Sequence, residues 1–159
     1  MTFIDKEPVK RVEKIIKEFD ENLSVSVLKT SARTALEAAS SLNCDVGAIV
    51  KSLLFKTDNK FCLFLIAGDK KASLKKIKKN IKFSDVSMAS ADEVKSITGY
   101  TIGGVSPVGH INDVDIYIDN SLERFNFLFA AAGHPNCIFK ISFLNLKKIT
   151  NGKIEDIIE

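Results

Sequence analysis

Ile49-Val50-Lys51-Ser52-Leu53-Leu54-Phe55-Lys56-Thr57-Asp58-Asn59-Lys60-Phe61-Cys62-Leu63-Phe64-Leu65-Ile66-Ala67 is the stretch on which the fold turns. Two strand-like runs, Ile49 to Lys56 and Phe61 to Ala67, flank the polar join Thr57-Asp58-Asn59-Lys60, which has the form of a β-hairpin connection. In the first run Ile49, Lys51, Leu53 and Phe55 share one face and Val50, Ser52, Leu54 and Lys56 the other. Neither face is cleanly polar, so the strand is expected to be buried on both sides. Lys51 must then snorkel to a rim or meet an anion. Cys62 lies inside the second apolar run and reads as a small buried hydrophobe.

Outward from the hairpin, helical and strand patterns are mixed. Pro8 to Phe19 reads as an amphipathic helix with Val9, Val12, Ile15, Ile16 and Phe19 on one stripe and a proline near its start. Ser24 to Leu28 reads as a short strand. Thr34-Ala35-Leu36-Glu37 has the form of a capping box opening a helix to about Leu42. Ser73 caps a helix with Leu74, Ile77 and Ile81 facing inward. Val86 to Ala89 is a short strand, and Ser90-Ala91-Asp92-Glu93 is a second capping box for a helix stopping near Gly99. Val114 to Asp119 alternates at period two, Phe127 to Ala132 and Ile138 to Ser142 read as strands, Phe143 to Ile149 as a helix and Lys153 to Ile157 as a last strand. The fold class expected is α+β, a mixed sheet with surrounding helices.

With 159 residues, 45% hydrophobic and 27% charged, and no linker-like tract or repeat, the chain is expected to be one domain over residues 1–159. The opening MTFIDKEPVKRVEKII lacks the apolar core of a secretory signal and no apolar run is long enough to span a bilayer, so a cytoplasmic protein without a membrane partner is expected. Cys44, Cys62 and Cys137 are odd in number and widely spaced, with only two histidines in the chain. They fit neither a disulfide framework nor a CxxC site, and no metal or cofactor is expected. Seven lysines fall within Lys70 to Lys82. They read either as a solvated helix face or as a landing surface for a nucleic-acid backbone.

Thr98-Gly99-Tyr100-Thr101-Ile102-Gly103-Gly104-Val105-Ser106-Pro107-Val108-Gly109 presents backbone rather than side chains. Its glycines permit close approach of a ligand and Pro107 stiffens the turn, so a row of amide donors for a carbonyl oxygen or phosphate is expected here. Ser106 has no sequence-evident base and reads as loop polarity. Asp119 reads as a solvated strand end or a cap for Ser121 onward. His134 follows the small run Ala130-Ala131-Ala132-Gly133, which could bend a strand at a pocket wall.

Thr30-Ser31-Ala32-Arg33-Thr34 with Glu37-Ala38-Ala39, Ile49 to Leu53, Ala67-Gly68, the glycine loop through Gly109, Ile118-Asp119 and Ala132-Gly133 together resemble, in order and spacing, the YbaK/prolyl-tRNA editing domain family. The resemblance spans nearly the whole chain, and its most specific parts are the lysine strand and the G-x-x-x-P loop. It implies a barrel-like α+β domain and a freestanding, trans-acting aminoacyl-tRNA deacylase whose partners are the tRNA acceptor end and prolyl-tRNA synthetase.

By that resemblance Lys51 would hold a phosphate at the acceptor end. Gly103, Gly104 and Pro107 would shape the loop whose amides receive charge on the ester oxygen, and Asp119 would belong to the site. Thr30, Gly68, Ser106, Gly133 and His134 would line the substrate. Synthetase editing insertions carry a histidine near their final strands; here Cys137 or Ile138 falls there and His134 is displaced, which leaves the edited amino acid open. An aminoacyl ester is already activated and its ribose hydroxyl can assist water, so positioning would suffice without a nucleophilic triad. A noncatalytic tRNA- or nucleotide-binding module would use the same lysines and loop, whereas a protein-interaction domain would need neither.

Overall fold

The computed structural model describes residues 2–159. A 3-10 turn at Phe3–Asp5 leads into α1 (Glu7–Phe19), followed by β1 (Val25–Val27), α2 (Ala35–Leu42), β2 (Ile49–Thr57) and β3 (Lys60–Ala67). Next come α3 (Leu74–Ile81), β4 (Val86–Met88), α4 (Ala91–Thr98), β5 (Asp115–Asp119) and β6 (Leu128–Ala131). β7 (Cys137–Ile141), α5 (Phe143–Thr150) and β8 (Lys153–Glu155) complete the chain. None of these helices is long and apolar enough to cross a membrane.

The eight strands form one mixed sheet in the order β1-β7-β6-β2-β3-β5-β8, with β4 also paired to β2. β2 and β3 are the antiparallel hairpin read from the sequence, in register from Val50↔Ala67 to Thr57↔Lys60. Its turn places Asp58 at φ 49°, a left-handed conformation that aspartate tolerates better than most residues. The Asp58 carboxylate accepts from the amides of Ser84 and Asp85 at 3.0 and 2.8 Å, which ties the turn to the approach of β4.

One apolar cluster gathers residues from β1, β2, β3, β5, β6 and β7 together with Val9, Val12 and Ile16 of α1. The sheet therefore wraps around one interior in the barrel-like manner expected, although its path ends at β1 and β8 without a pairing that closes it. The opposite face of β2 and β3, with Phe55, Cys62, Phe64 and Ile66, packs beneath Ile77 of α3. A fully buried side chain of this size contributes about 1.5–3 kcal/mol, so both faces of the hairpin anchor the fold.

Helix starts follow local chemistry. Ser90 and Glu93 form the complete capping box, with Gly99 at φ 81° ending α4. At α2 only half of the expected box forms: the Thr34 hydroxyl accepts from the Glu37 amide at 3.1 Å, but the Glu37 carboxylate accepts from that same hydroxyl, not from the Thr34 amide. Two residues expected on inward stripes are exposed, Phe19 at the last position of α1 and Leu74 at the first position of α3. Each sits in the terminal turn of its helix.

Candidate functional site

β2 pairs with β3 along its length, but its other edge is interrupted. It meets β6 only at Ile49 and Val50 and β4 only from Phe55 to Thr57. Lys51 to Leu53 face a gap between the two. Ladder alternation decides which backbone groups look into that gap. Ile49 O accepts from Gly68 N–H at 2.8 Å, toward the β3 side, whereas Leu54 O accepts from Ala89 N–H at 3.1 Å, toward β4. Ser52, two residues before Leu54, therefore turns its N–H and C=O into the gap.

A cavity of about 330 Å³ opens there. Its floor is apolar, with Val50, Leu54, Val94, Val105, Ala130 and Cys137 among its walls. Lys51 and Gly103 also line it, bringing the strand lysine and the glycine loop to one space. Met88 and Ile102, both more than half exposed, stand at its rim.

Lys51 is half-buried and its ammonium donates to the carbonyl of Lys70. Burial pulls its pKa below the ordinary lysine value, while Asp69 and Asp119 act in the other direction. Neither carboxylate neutralises it. Asp69 is held by the Arg124 guanidinium at 2.8 and 3.0 Å, which lowers its own pKa. Asp119 is fully buried and accepts from Ser121 N–H at 3.1 Å, the Ser121 hydroxyl at 2.6 Å and Ala67 N–H at 3.5 Å. The cap for Ser121 is present; the solvated strand end is not, because β3 and β8 flank β5 and enclose its end. Among the described residues the Lys51 ammonium thus has a single backbone acceptor, and Lys51 lines the cavity.

The glycine loop is strongly fastened. Tyr100 donates to Val108 O at 2.7 Å and Gly109 O at 3.0 Å, Arg11 Nε donates to Gly109 O at 2.7 Å, and His110 Nε2 meets Ser106 O at 2.7 Å. Burial pushes the Tyr100 phenol up to about 12 and holds the His110 imidazole below its usual range, so both partners stay neutral near pH 7. The expected row of free amides is shorter than the sequence suggests: Gly104 N–H donates to Thr101 O and Val108 N–H to the Ser106 hydroxyl. Among the described residues the Gly103 and Val105 amides carry no such bond. Gly103 has φ 93°, a conformation that favours glycine, and a Cβ at Gly104 would meet the His134 backbone at 2.9 Å.

Several expected site residues stand outside the cavity wall. Ser106 and Pro107 are buried within the loop. Gly68 packs on the Val46 turn, and Gly133 packs against Pro8 of α1. The Thr30 hydroxyl pairs with Ser41 at 3.0 Å on the surface. His134 accepts from Asn136 N–H at 3.0 Å through Nδ1 and stacks on Phe3 with ring centroids 4.3 Å apart. Two lining residues had no role in the sequence reading, Ser52 and the exposed Arg33. The period-two pattern held a signal for Ser52, a lone hydroxyl between Val50 and Leu54 on the interior face. Among the described residues no cluster of three His, Cys, Asp or Glu side chains could hold a metal ion.

Residues 29–149 match the model of the aminoacyl-tRNA editing domain family. The uncharacterized protein YwhH of Bacillus subtilis (strain 168) is 34% identical over 131 residues, covering 82% of this chain and 83% of YwhH. A proline–tRNA ligase of Caldicellulosiruptor saccharolyticus is 31% identical over 152 residues, covering 95% of this chain but only 25% of the ligase. A crystal structure of a candidate trans-editing enzyme for prolyl tRNA synthetase superposes with a TM-score of 0.90 at 33% identity, covering 97% of this chain and 98% of that one.

Proposed function

This chain belongs to the aminoacyl-tRNA editing domain family, and from that premise we propose that it is a trans-acting hydrolase that cleaves the ester of a mischarged aminoacyl-tRNA in the cytoplasm. The substrate is tRNA for proline carrying a small non-cognate amino acid, presented by its acceptor end after release from prolyl-tRNA synthetase. The observation that carries this reading is the shared cavity: Lys51 and Gly103, 52 positions apart in sequence, border one space. At about 330 Å³ that space lies at the low end for ligand pockets, room enough for an aminoacyl group.

In this reading the uncompensated Lys51 ammonium holds a phosphate of the acceptor end and so fixes the ester against the loop. The Gly103 amide, free of an internal partner, faces charge developing on the ester oxygen as water adds. Gly104 lets the loop lie against the His134 backbone, and buried Pro107 stiffens it. Asp119 fixes the end of β3 through Ala67 and acts on Lys51 only through its field. Thr30, Gly68, Ser106, Gly133 and His134 support the elements that frame the cavity. Attack needs no protein nucleophile, because the ribose hydroxyl beside the ester can assist the water.

A panel of tRNAs charged with alanine, cysteine, serine and proline, incubated with wild type and Lys51→Ala, tests the reading. Release of a small non-cognate amino acid by wild type and its loss in the variant are expected. Binding of tRNA without release from any of them would leave a noncatalytic tRNA-binding module; release unchanged by the substitution would remove Lys51 from the mechanism.

A further inference from the structure

The Ser52 hydroxyl is buried and has no hydrogen-bond partner among the described residues. A buried polar atom left unpaired costs about 1–3 kcal/mol, and such groups persist where something else satisfies them. Ser52 lines the cavity, and its backbone N–H and C=O look into the gap between β6 and β4. Rotation about χ1 alone would bring the hydroxyl toward the same space. One residue therefore offers two acceptors, its carbonyl and its hydroxyl, in a cavity whose other walls are largely apolar.

Resting on the function proposed above, we infer that Ser52 binds the α-ammonium group of the esterified amino acid, while Val50, Leu54 and Ala130 surround its side chain. Strand alternation supports this division. Lys51 and Ser52 project from opposite faces of β2, so the cation that attracts phosphate does not share a face with the group that receives an ammonium. The ester, lying between the amino acid and the ribose, is then held from both ends across the gap. An acyl group with no hydrogen-bond donor on its α-carbon leaves the Ser52 acceptors unpaired and binds more weakly; that loss is a filter no apolar pocket supplies.

The test compares alanyl-tRNA with propionyl-tRNA, in which a hydrogen replaces the α-amino group, on wild type, Ser52→Ala and Ser52→Thr. Ser52→Ala should lower kcat/KM for the alanyl ester about tenfold, less than a full loss because the backbone carbonyl remains, and leave the propionyl ester unchanged. Ser52→Thr, which keeps the hydroxyl, should retain the preference. Equal losses on both esters would assign Ser52 a purely structural role and overturn the inference. Binding of two non-hydrolysable probes, 3′-alanylamido-3′-deoxyadenosine and its propionyl counterpart, is measured alongside by calorimetry. If wild type binds the two alike, or binds neither, the inference falls. If it prefers the alanyl probe through Ser52 yet releases amino acid from no tRNA, the ammonium site stands and the hydrolase reading falls.

Discussion

The middle of β2 and the end of β5 each carry a charge on the same level of the sheet, and they treat it in opposite ways. Lys51 pairs across with Ile66, and the β3–β5 register, Leu65↔Ile118, sets Asp119 next in line beyond Ile66. Asp119 is fully enclosed and takes three hydrogen bonds. Lys51 lies beside a gap in the ladder and has, among the described residues, only the Lys70 carbonyl. A charge saturated by its own chain is part of the scaffold; a charge left nearly free at an opening is available to something outside the chain. The two charges are opposite in sign, and what separates their fates is how much of each strand's edge is covered.

The sharpest break between them is in stability. Asp119→Ala strands the Ser121 and Ala67 amides and removes a buried capping carboxylate, and should cost about 3 kcal/mol in chemical denaturation. Lys51→Ala should change the stability by less than about 1 kcal/mol while lowering deacylation about a hundredfold, a loss of positioning and not of fold. If both variants unfold together, the contrast is wrong.

The next effect concerns pH. Burial lowers the Lys51 pKa, so its charge is lost as pH rises through a midpoint below 10.5. Affinity for uncharged tRNA should fall along that alkaline limb in wild type and lack the limb in Lys51→Ala. Asp69→Asn removes a negative neighbour and should move the limb to lower pH. By linkage, the protonated lysine costs stability below its folded pKa, and that cost fades as pH rises toward the unfolded value.

The smallest effect is expected on the α3 surface, where Lys75, Lys78 and Lys79 are exposed and, among the described residues, only Lys76 of that helix pairs with a carboxylate, Asp156. Replacing those three with alanine should reduce the slope of log affinity against log salt by up to about 0.9 for each phosphate that they neutralise. An unchanged slope would make the lysines a solvated face.

Legibility in the sequence follows the range of the interactions. The hairpin, the Ser90 capping box and the two-faced burial of β2 rest on neighbours within a few positions, and the pattern shows them. The awkwardness of Lys51 was visible too, since an apolar strand has no use for an ammonium. The gap was not, because it depends on where β6 and β4, distant in the chain, stop pairing with β2. Asp119 was half legible: its bond to Ser121 is local, whereas its enclosure comes from Ala67, 52 positions away. Ser52 was half legible as well: the period-two pattern sets its hydroxyl among valine and leucine, but only the structure shows that hydroxyl without a partner among the described residues.

The interruption in β2 also bears on how the protein avoids its own kind. An uncovered strand edge ordinarily invites a foreign strand to add to it and begin an aggregate. Here β6 and β4 act as stops on either side of Lys51 to Leu53, leaving a berth shorter than the five or six residues of a typical strand. A strand of ordinary length cannot dock in a slot that brief without colliding with its ends, whereas a small molecule needing only one or two backbone contacts would fit, so this break is a poor seed for strand addition.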